Sequence, residues 1–313
     1  MTGPERVTVD VSAVAPPGVS RVAADLFLPD APAAPPIVMT CLPGGGMTRR
    51  YYDIAVDGDS GTYSMARHLA GLGVTVLTVD PPGVGESDVP DDPWSLTPTT
   101  VASVCAAAAS HVLDGLRRDR PGLLSLGVGH SAGALLTVYA QAGRPCFDGL
   151  ALLGFAGGGL PGVLTAEELA LAGDPARARR EVVALARARF GRPLPVGTTG
   201  PSEMLLGVPV PEAARLGIAR TGGALLTVVG LTSMIPGASA PELGALDVPL
   251  FLGVGDRDIT GDPYRIPAQF PSARDVTLFV LGDSGHNHNV APTRHRLWDR
   301  LHRWALSLRS PVT

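Results

Sequence analysis

Short apolar runs alternate with segments of helical periodicity along most of the chain. Eight runs have the length and apolar content of strands: Arg6–Val11, Arg21–Leu28, Ile37–Leu42, Val74–Val79, Leu123–Val128, Leu150–Phe155, Pro249–Val254 and Val276–Leu281. Segments with helical spacing lie between or after them: Tyr63–Leu72, Thr97–Arg118, Ala132–Ala142 and about Thr293–Leu308. Because continuously apolar strands are typical of sheets buried on both faces, the pattern predicts an α/β fold. We expect a mostly parallel central sheet with helices on both faces.

The alternation breaks between residues 156 and 245, where helical signals continue without a strand pattern. Thr165 begins a capping box, and Asp174 with the proline after it is a typical helix start. A loop of this length without strands is uncommon unless it covers a site. We therefore predict an α/β core of residues 1–155 and 246–313, with 156–245 inserted as a helical cap, or lid.

Composition narrows the class of partner. The 313 residues carry a net charge of −4, which favours neither nucleic acid nor an anionic membrane surface as a partner. All 25 basic residues are arginine, so mechanisms that need a catalytic lysine are excluded. We expect a small-molecule substrate, and the sequence gives no prediction of the oligomeric state.

Cysteine usage and the first residues bear on compartment and cofactors. Three widely spaced cysteines, Cys41, Cys105 and Cys146, argue against a disulfide framework or a zinc cluster. The first ten residues are polar, unlike a signal peptide, and no apolar run reaches the roughly 20 residues that span a bilayer. We expect a soluble cytoplasmic protein with no metal and no cofactor.

The segment Gly129-His130-Ser131-Ala132-Gly133 fits the G-x-S-x-G nucleophile elbow. Such an elbow is a tight strand-to-helix turn, so the residues two positions from the nucleophile must be small. An apolar strand precedes this segment and a helix rich in small residues follows it. The sequence therefore predicts Ser131 as a nucleophile, and His130 as a packed side chain.

An acid and a base follow Ser131 in the chain order expected for this elbow. Asp258 comes just after one predicted strand and His286 just after the next, so both would lie at the carboxyl edge of the sheet. His286 would accept the Ser131 proton, and Asp258 would orient the imidazole. Asp256 is an alternative acid, and His288 a weaker alternative base.

A glycine-rich segment, Pro43-Gly44-Gly45-Gly46, follows the third predicted strand. Acyl transfer needs two backbone N–H donors for the oxyanion of the tetrahedral intermediate. Ala132, directly after the nucleophile, would supply one. Because proline cannot donate, we expect Gly45, or else Gly46, to supply the other.

Together these segments resemble the α/β-hydrolase superfamily. The resemblance covers nearly the whole chain outside the insertion and rests on the segments 43–46, 80–87, 129–133, 255–258 and 285–286. It implies a serine hydrolase with a catalytic triad, an oxyanion hole and a cap. Two departures stand out: Pro43 lies where the family often has histidine, and Gly154-Phe155 lacks the acid that modular thioesterase domains usually carry there.

The leading functional hypothesis is hydrolysis of a carboxylic ester of a small, hydrophobic substrate through an acyl-Ser131 intermediate. The same residues would also serve an acyltransferase, a thioesterase or a lactone-forming cyclase, and a non-catalytic ligand-binding protein of this fold is a third reading. Two apolar stretches of the insertion, Leu205–Val210 and Ala224–Ile235, would either line a substrate pocket or pack the cap onto the core.

Overall fold

The computed structural model describes residues 3–58, 61–196 and 202–308. Eight strands form one sheet in the order β1-β2-β4-β3-β5-β6-β7-β8, and all neighbours from β4 to β8 are parallel while β1 and β2 are antiparallel to theirs. The strands are β1 Glu5–Asp10, β2 Arg21–Phe27, β3 Ile37–Leu42, β4 Val74–Val79, β5 Leu124–His130, β6 Gly149–Leu153, β7 Leu250–Gly255 and β8 Val276–Leu281.

Ten α-helices and six short 3₁₀ turns connect the strands in the described residues. The helices are α1 Met65–Gly71, α2 Pro98–Asp119, α3 Ala132–Gly143, α4 Ala166–Leu169, α5 Pro175–Phe190, α6 Glu203–Leu206, α7 Glu212–Ala219, α8 Thr227–Met234, α9 Ala240–Gly244 and α10 Arg294–Ser307. The 3₁₀ turns are Arg49–Tyr52, Pro93–Ser95, Pro161–Val163, Pro263–Arg265, Pro267–Gln269 and His288–Val290.

The sheet is covered on both faces. Helices α2 and α3 pack on one face with one large apolar cluster, and α1 and α10 pack on the other with a second cluster. Strands β3, β4, β6 and β7 are buried along their whole length, as their unbroken apolar sequence predicted. By length and composition alone α2 could cross a membrane, but its buried face packs against α3 and β1.

The predicted fold class is confirmed, and strand ends shift by one or two residues. Between β6 and β7 the described residues form helices α4 to α9, of which the sequence predicted the start of α4 at Thr165 and the start of α5 at Asp174. The segment Leu205–Val210 packs into the core, whereas α8 contributes both to the core and to a small cluster with α5. Between Asp258 and β8 the described chain forms the 3₁₀ turns Pro263–Arg265 and Pro267–Gln269 rather than an α-helix.

Candidate active site

Ser131 lies in a strained turn between β5 and α3. Its backbone has φ 53° and ψ −120°, which few non-glycine residues adopt and which costs on the order of 1–3 kcal/mol. The Ser131 amide donates to Leu153 O at 2.8 Å and so fixes the turn against β6. A Cβ at Gly129 would lie 2.4 Å from Ala134 Cα, and one at Gly133 would lie 2.1 Å from Leu42 O. The two motif glycines are therefore required by close backbone packing rather than by a positive φ.

The Gly44–Gly46 segment lies beside this turn. A Cβ at Gly44 would lie 2.7 Å from His130 Nδ1 and 3.4 Å from Ser131 Cβ, so only glycine lets the segment approach the elbow. Within the described residues, none of the amides of Gly44, Gly45, Gly46 and Ala132 donates a hydrogen bond. These N–H groups are thus available to an oxygen of a bound substrate.

The chain just after this segment is held by a buried arginine. The Arg49 side chain is 2% exposed; its Nη1 bonds Asp80, its Nη2 lies 3.0 Å from Glu86 Oε2, and its Nε lies 2.9 Å from Asp25 Oδ2 without hydrogen-bond geometry. The Arg49 amide also donates to Asp80 Oδ1 at 2.7 Å. Burial raises the pKa of Asp80, although Arg49 favours its ionised form. The arginine thus ties the Gly44–Gly46 segment to β2 and to the turn after β4.

Asp258 and His286 form a buried hydrogen-bonded pair. Asp258 Oδ1 lies 2.8 Å from His286 Nδ1, and their side chains are 1% and 6% exposed. Asp256 is exposed instead, and its carboxylate accepts the Ser284 amide at 3.0 Å. Of the two carboxylates left open by the sequence, the structure brings Asp258 to the imidazole. Asp256 instead holds the backbone at Ser284, in the loop just before His286.

A second histidine contacts the same carboxylate. His288 Nε2 lies 3.0 Å from Asp258 Oδ2. Burial alone would raise the pKa of Asp258, but the hydrogen bonds from both histidines and the electrostatic attraction to them outweigh it and hold this pKa below its usual range. The carboxylate is therefore ionised throughout the neutral range.

His130 supports His286 through the backbone. Its Nε2 lies 2.9 Å from His286 O and, since a carbonyl only accepts, must carry the hydrogen. The ring stacks on Tyr51 at 4.6 Å. Burial, with the two neighbouring histidines, holds the pKa of His130 well below its usual value. This side chain is a packed, neutral support.

Ser131 and His286 line one small cavity of about 40 Å³ that opens to solvent. Its other lining residues come from the end of β6, the segment before α4, α8 and the loop after Asp258: Gly154, Phe155, Ala156, Gly159, Leu160, Ser233, Ile259 and Thr260. In the part of the chain that the structure describes, no hydrogen bond joins Ser131 to His286. Such bonds often form only when substrate is bound.

Comparisons with known proteins identify the family and the fold. A family model described as "Alpha/beta hydrolase family" matches residues 41–295, which is most of the chain. The chain belongs to the α/β hydrolase family. A comparison with curated protein sequences finds no match.

Solved structures of several hydrolases share the fold of this α/β hydrolase. A lipase in an open form has 18% identity and a TM-score of 0.66, over 98% of this chain and 99% of its own. An esterase from Thermogutta terrifontis has 16% identity and a TM-score of 0.61, over 98% of this chain and 100% of its own. An esterase from Exiguobacterium antarcticum has 15% identity and a TM-score of 0.60, over 91% of this chain and 96% of its own. At these identities the likeness shows the fold alone.

Gly154 explains why this α/β hydrolase has no acid at the end of β6. Its φ is +58°, and a Cβ there would lie 3.0 Å from His286 Nδ1 and 3.3 Å from His288 Cε1. The positive φ and the two nearby imidazoles thus both disfavour a side chain at this position.

Sequence reasoning missed two supporting residues. His288 was weighed only as a rival base, because its hydrogen bond to Asp258 depends on side-chain directions in a loop. Arg49 carried no signal of its own, since its partners Asp25 and Asp80 are distant in sequence. The acidic turn of residues 80–87 was the single hint of a buried cation nearby.

Proposed function

We propose that this α/β hydrolase is a serine esterase that cleaves a carboxylic ester of a small, hydrophobic substrate through an acyl-Ser131 intermediate. The observation that carries the proposal is the Asp258–His286 pair opening onto the same cavity as Ser131, beside amides that have no partner in the described residues. A nucleophile, an oriented base and oxyanion donors are the parts that acyl transfer needs.

The proposed reaction begins at His286. Because Asp258 accepts the hydrogen on Nδ1, the ring offers the lone pair of Nε2 to the Ser131 hydroxyl. Ser131 Oγ attacks the ester carbonyl as its proton passes to Nε2, and the oxyanion accepts hydrogen bonds from Ala132 N–H and from Gly45 or Gly46. His286 then protonates the leaving alkoxide. Water, activated by the same imidazole, releases the acid and restores Ser131.

The surroundings of the site support a small and partly apolar substrate. Phe155, Leu160 and Ile259 are the large apolar residues that line the cavity shared by Ser131 and His286. A narrow crevice with a mostly apolar lining lies between the Pro43–Met47 segment and α8, but at about 10 Å³ it is too small to hold a substrate group as it stands. We infer preference for short acyl esters over long ones.

The test is Ser131→Ala, assayed with short- and medium-chain acyl esters. We expect kcat/KM to fall on the order of 10⁴-fold or more, since the covalent route is lost. Ser110→Ala, on α2 beside Cys146 and Phe147, is the matched control and should keep the wild-type value. A fluorophosphonate should add to Ser131 in the wild type alone. Undiminished turnover in Ser131→Ala, or no adduct at Ser131, would overturn the proposal.

A separate measurement identifies the molecule that accepts the acyl group. Product analysis with a competing alcohol distinguishes water from an alcohol as the acceptor. We expect free acid as the main product. A predominant new ester would make the protein an acyltransferase that uses the same residues.

A further inference from the structure

Asp258 is shared between two imidazoles, and only one of them faces the substrate cavity. His286 lines that cavity, whereas His288 does not and is 1% exposed. We propose that His288 is a positioning residue for the acid: its Nε2–H holds Asp258 Oδ2, so that Oδ1 stays directed at His286 Nδ1. The inference rests on the proposed function, because it gives His288 a part in the same reaction.

The other donors to this carboxylate are weaker. The Gly255 amide lies 3.4 Å from Oδ2 and the Thr260 amide lies 3.3 Å from Oδ1, compared with 3.0 Å for His288 Nε2. Hydrogen bonds lose strength over this range of distances. Apart from His286 itself, His288 is therefore the main restraint on rotation of the carboxylate about its Cβ–Cγ bond.

The tautomer of His288 follows from its surroundings. An ionised carboxylate only accepts hydrogen bonds, so Nε2 must carry the hydrogen. His288 Nδ1 is buried without a partner in the described residues. A hydrogen on Nδ1 would be a buried N–H without an acceptor, which costs about 1–3 kcal/mol. The neutral ring with its hydrogen on Nε2 satisfies both constraints.

The groups that face His288 add no competing charge. Asp258 is the anion in contact with it. The His130 ring meets it edge-on at 5.6 Å, and the His286 ring centre lies 6.5 Å away. His130 is neutral for the reasons given above. When His286 takes up the Ser131 proton, Asp258 is thus the anion that stabilises the resulting imidazolium. The hydrogen bond from His288 neutralises part of the carboxylate charge and so weakens its attraction to His286.

Two substitutions separate hydrogen bonding from packing. His288→Met introduces an apolar side chain of similar length and removes the donor. His288→Gln keeps an N–H near the position of Nε2. We expect His288→Met to lower kcat about 10- to 100-fold, the value of one hydrogen bond to a charged group, with KM nearly unchanged. His288→Gln should recover most of this loss. Equal losses in both variants, or a change in KM alone, would overturn the proposal.

A pH profile adds a readout that a packing role would not move. Without the donor, the negative charge on Asp258 is less neutralised and favours the protonated imidazolium of His286 more strongly. The acidic limb of kcat/KM should therefore move to higher pH in His288→Met but not in His288→Gln. In an Asp258→Asn background, His288→Met should have no further effect on kcat. Additive losses in that pair would contradict the proposal.

A measurement on the wild type covers the case in which His288→Met does not fold. In ¹⁵N-labelled protein at mildly alkaline pH, the ring nitrogens of His288 should show a hydrogen on Nε2 and none on Nδ1. The opposite tautomer would overturn the proposal. This spectrum needs no substrate, so it stands even if ester turnover and fluorophosphonate labelling are both absent. Those absences would count against the proposed function alone.

Discussion

Ser131 and the amides around it are fixed by backbone packing, whereas Asp258 and its two histidines are fixed by hydrogen bonds between side chains. At the elbow, Gly129 and Gly133 allow contacts in which even one added methyl group would overlap neighbouring backbone. At the acid, the fixed elements are the 2.8 Å and 3.0 Å bonds to His286 and His288. The two ends of the site therefore respond differently to substitution.

Function and stability therefore separate at the acid but not at the elbow. A residue whose role is steric cannot change without altering the fold, since the backbone itself must move. A residue whose role is to orient a partner can be replaced by one of the same shape, and the fold survives while turnover falls.

Asp258→Asn should have the largest effect, and on turnover rather than on folding. The amide has the shape of the carboxylate but cannot stabilise an imidazolium at His286 or fix its tautomer. We expect kcat to fall about 10⁴-fold, measured by ester hydrolysis. Asp256→Asn is the matched control and should stay within about threefold, because that side chain is exposed and an amide oxygen can still accept from Ser284. A larger loss of kcat in the control would indicate that Asp256 is the acid that supports His286.

Arg49→Met should have the next largest effect, this time on stability. It leaves the buried Asp80 and the partly buried Asp25 without their cation, which costs about 3–5 kcal/mol in the free energy of unfolding. Urea unfolding measures this. Arg50→Met is the neighbouring control: Arg50 is 55% exposed and pairs with Glu86 at 3.4 Å, so a change below about 1 kcal/mol is expected. Similar losses in both would mean that the buried pairs do not hold this segment.

Gly133→Ala should cost about 3 kcal/mol, at the upper end for overpacking, because the new methyl group would lie 2.1 Å from Leu42 O. Gly143→Ala, at the end of the same helix, meets open space and should leave stability within about 1 kcal/mol or raise it. The free energies of unfolding in urea compare the two. An alanine tolerated at 133 would show that the elbow is not held by this contact.

The sequence predicted the parts of the molecule whose geometry depends on local rules. Apolar runs such as Val74–Val79 became buried strands, and the small residues around Ser131 marked the turn. The choice between Asp256 and Asp258 stayed open, because two residues in one short turn differ only in where their side chains point. The cation at Arg49 could not be found, since its partners come together only when β2, β4 and the segment after β3 assemble.

Gly154 has a consequence for protein engineering. The acid that supports the base follows β7 in this chain, and position 154 at the end of β6 is a poor place for a second one, because its φ is positive and His286 and His288 lie close to it. An aspartate transplanted to position 154 would strain the backbone and press against the base that it was meant to serve. Redesign of the proposed triad in this scaffold must therefore start from the loop that carries His286 and His288. A classification of such sequences that looks for the acid only on β6 would overlook this chain.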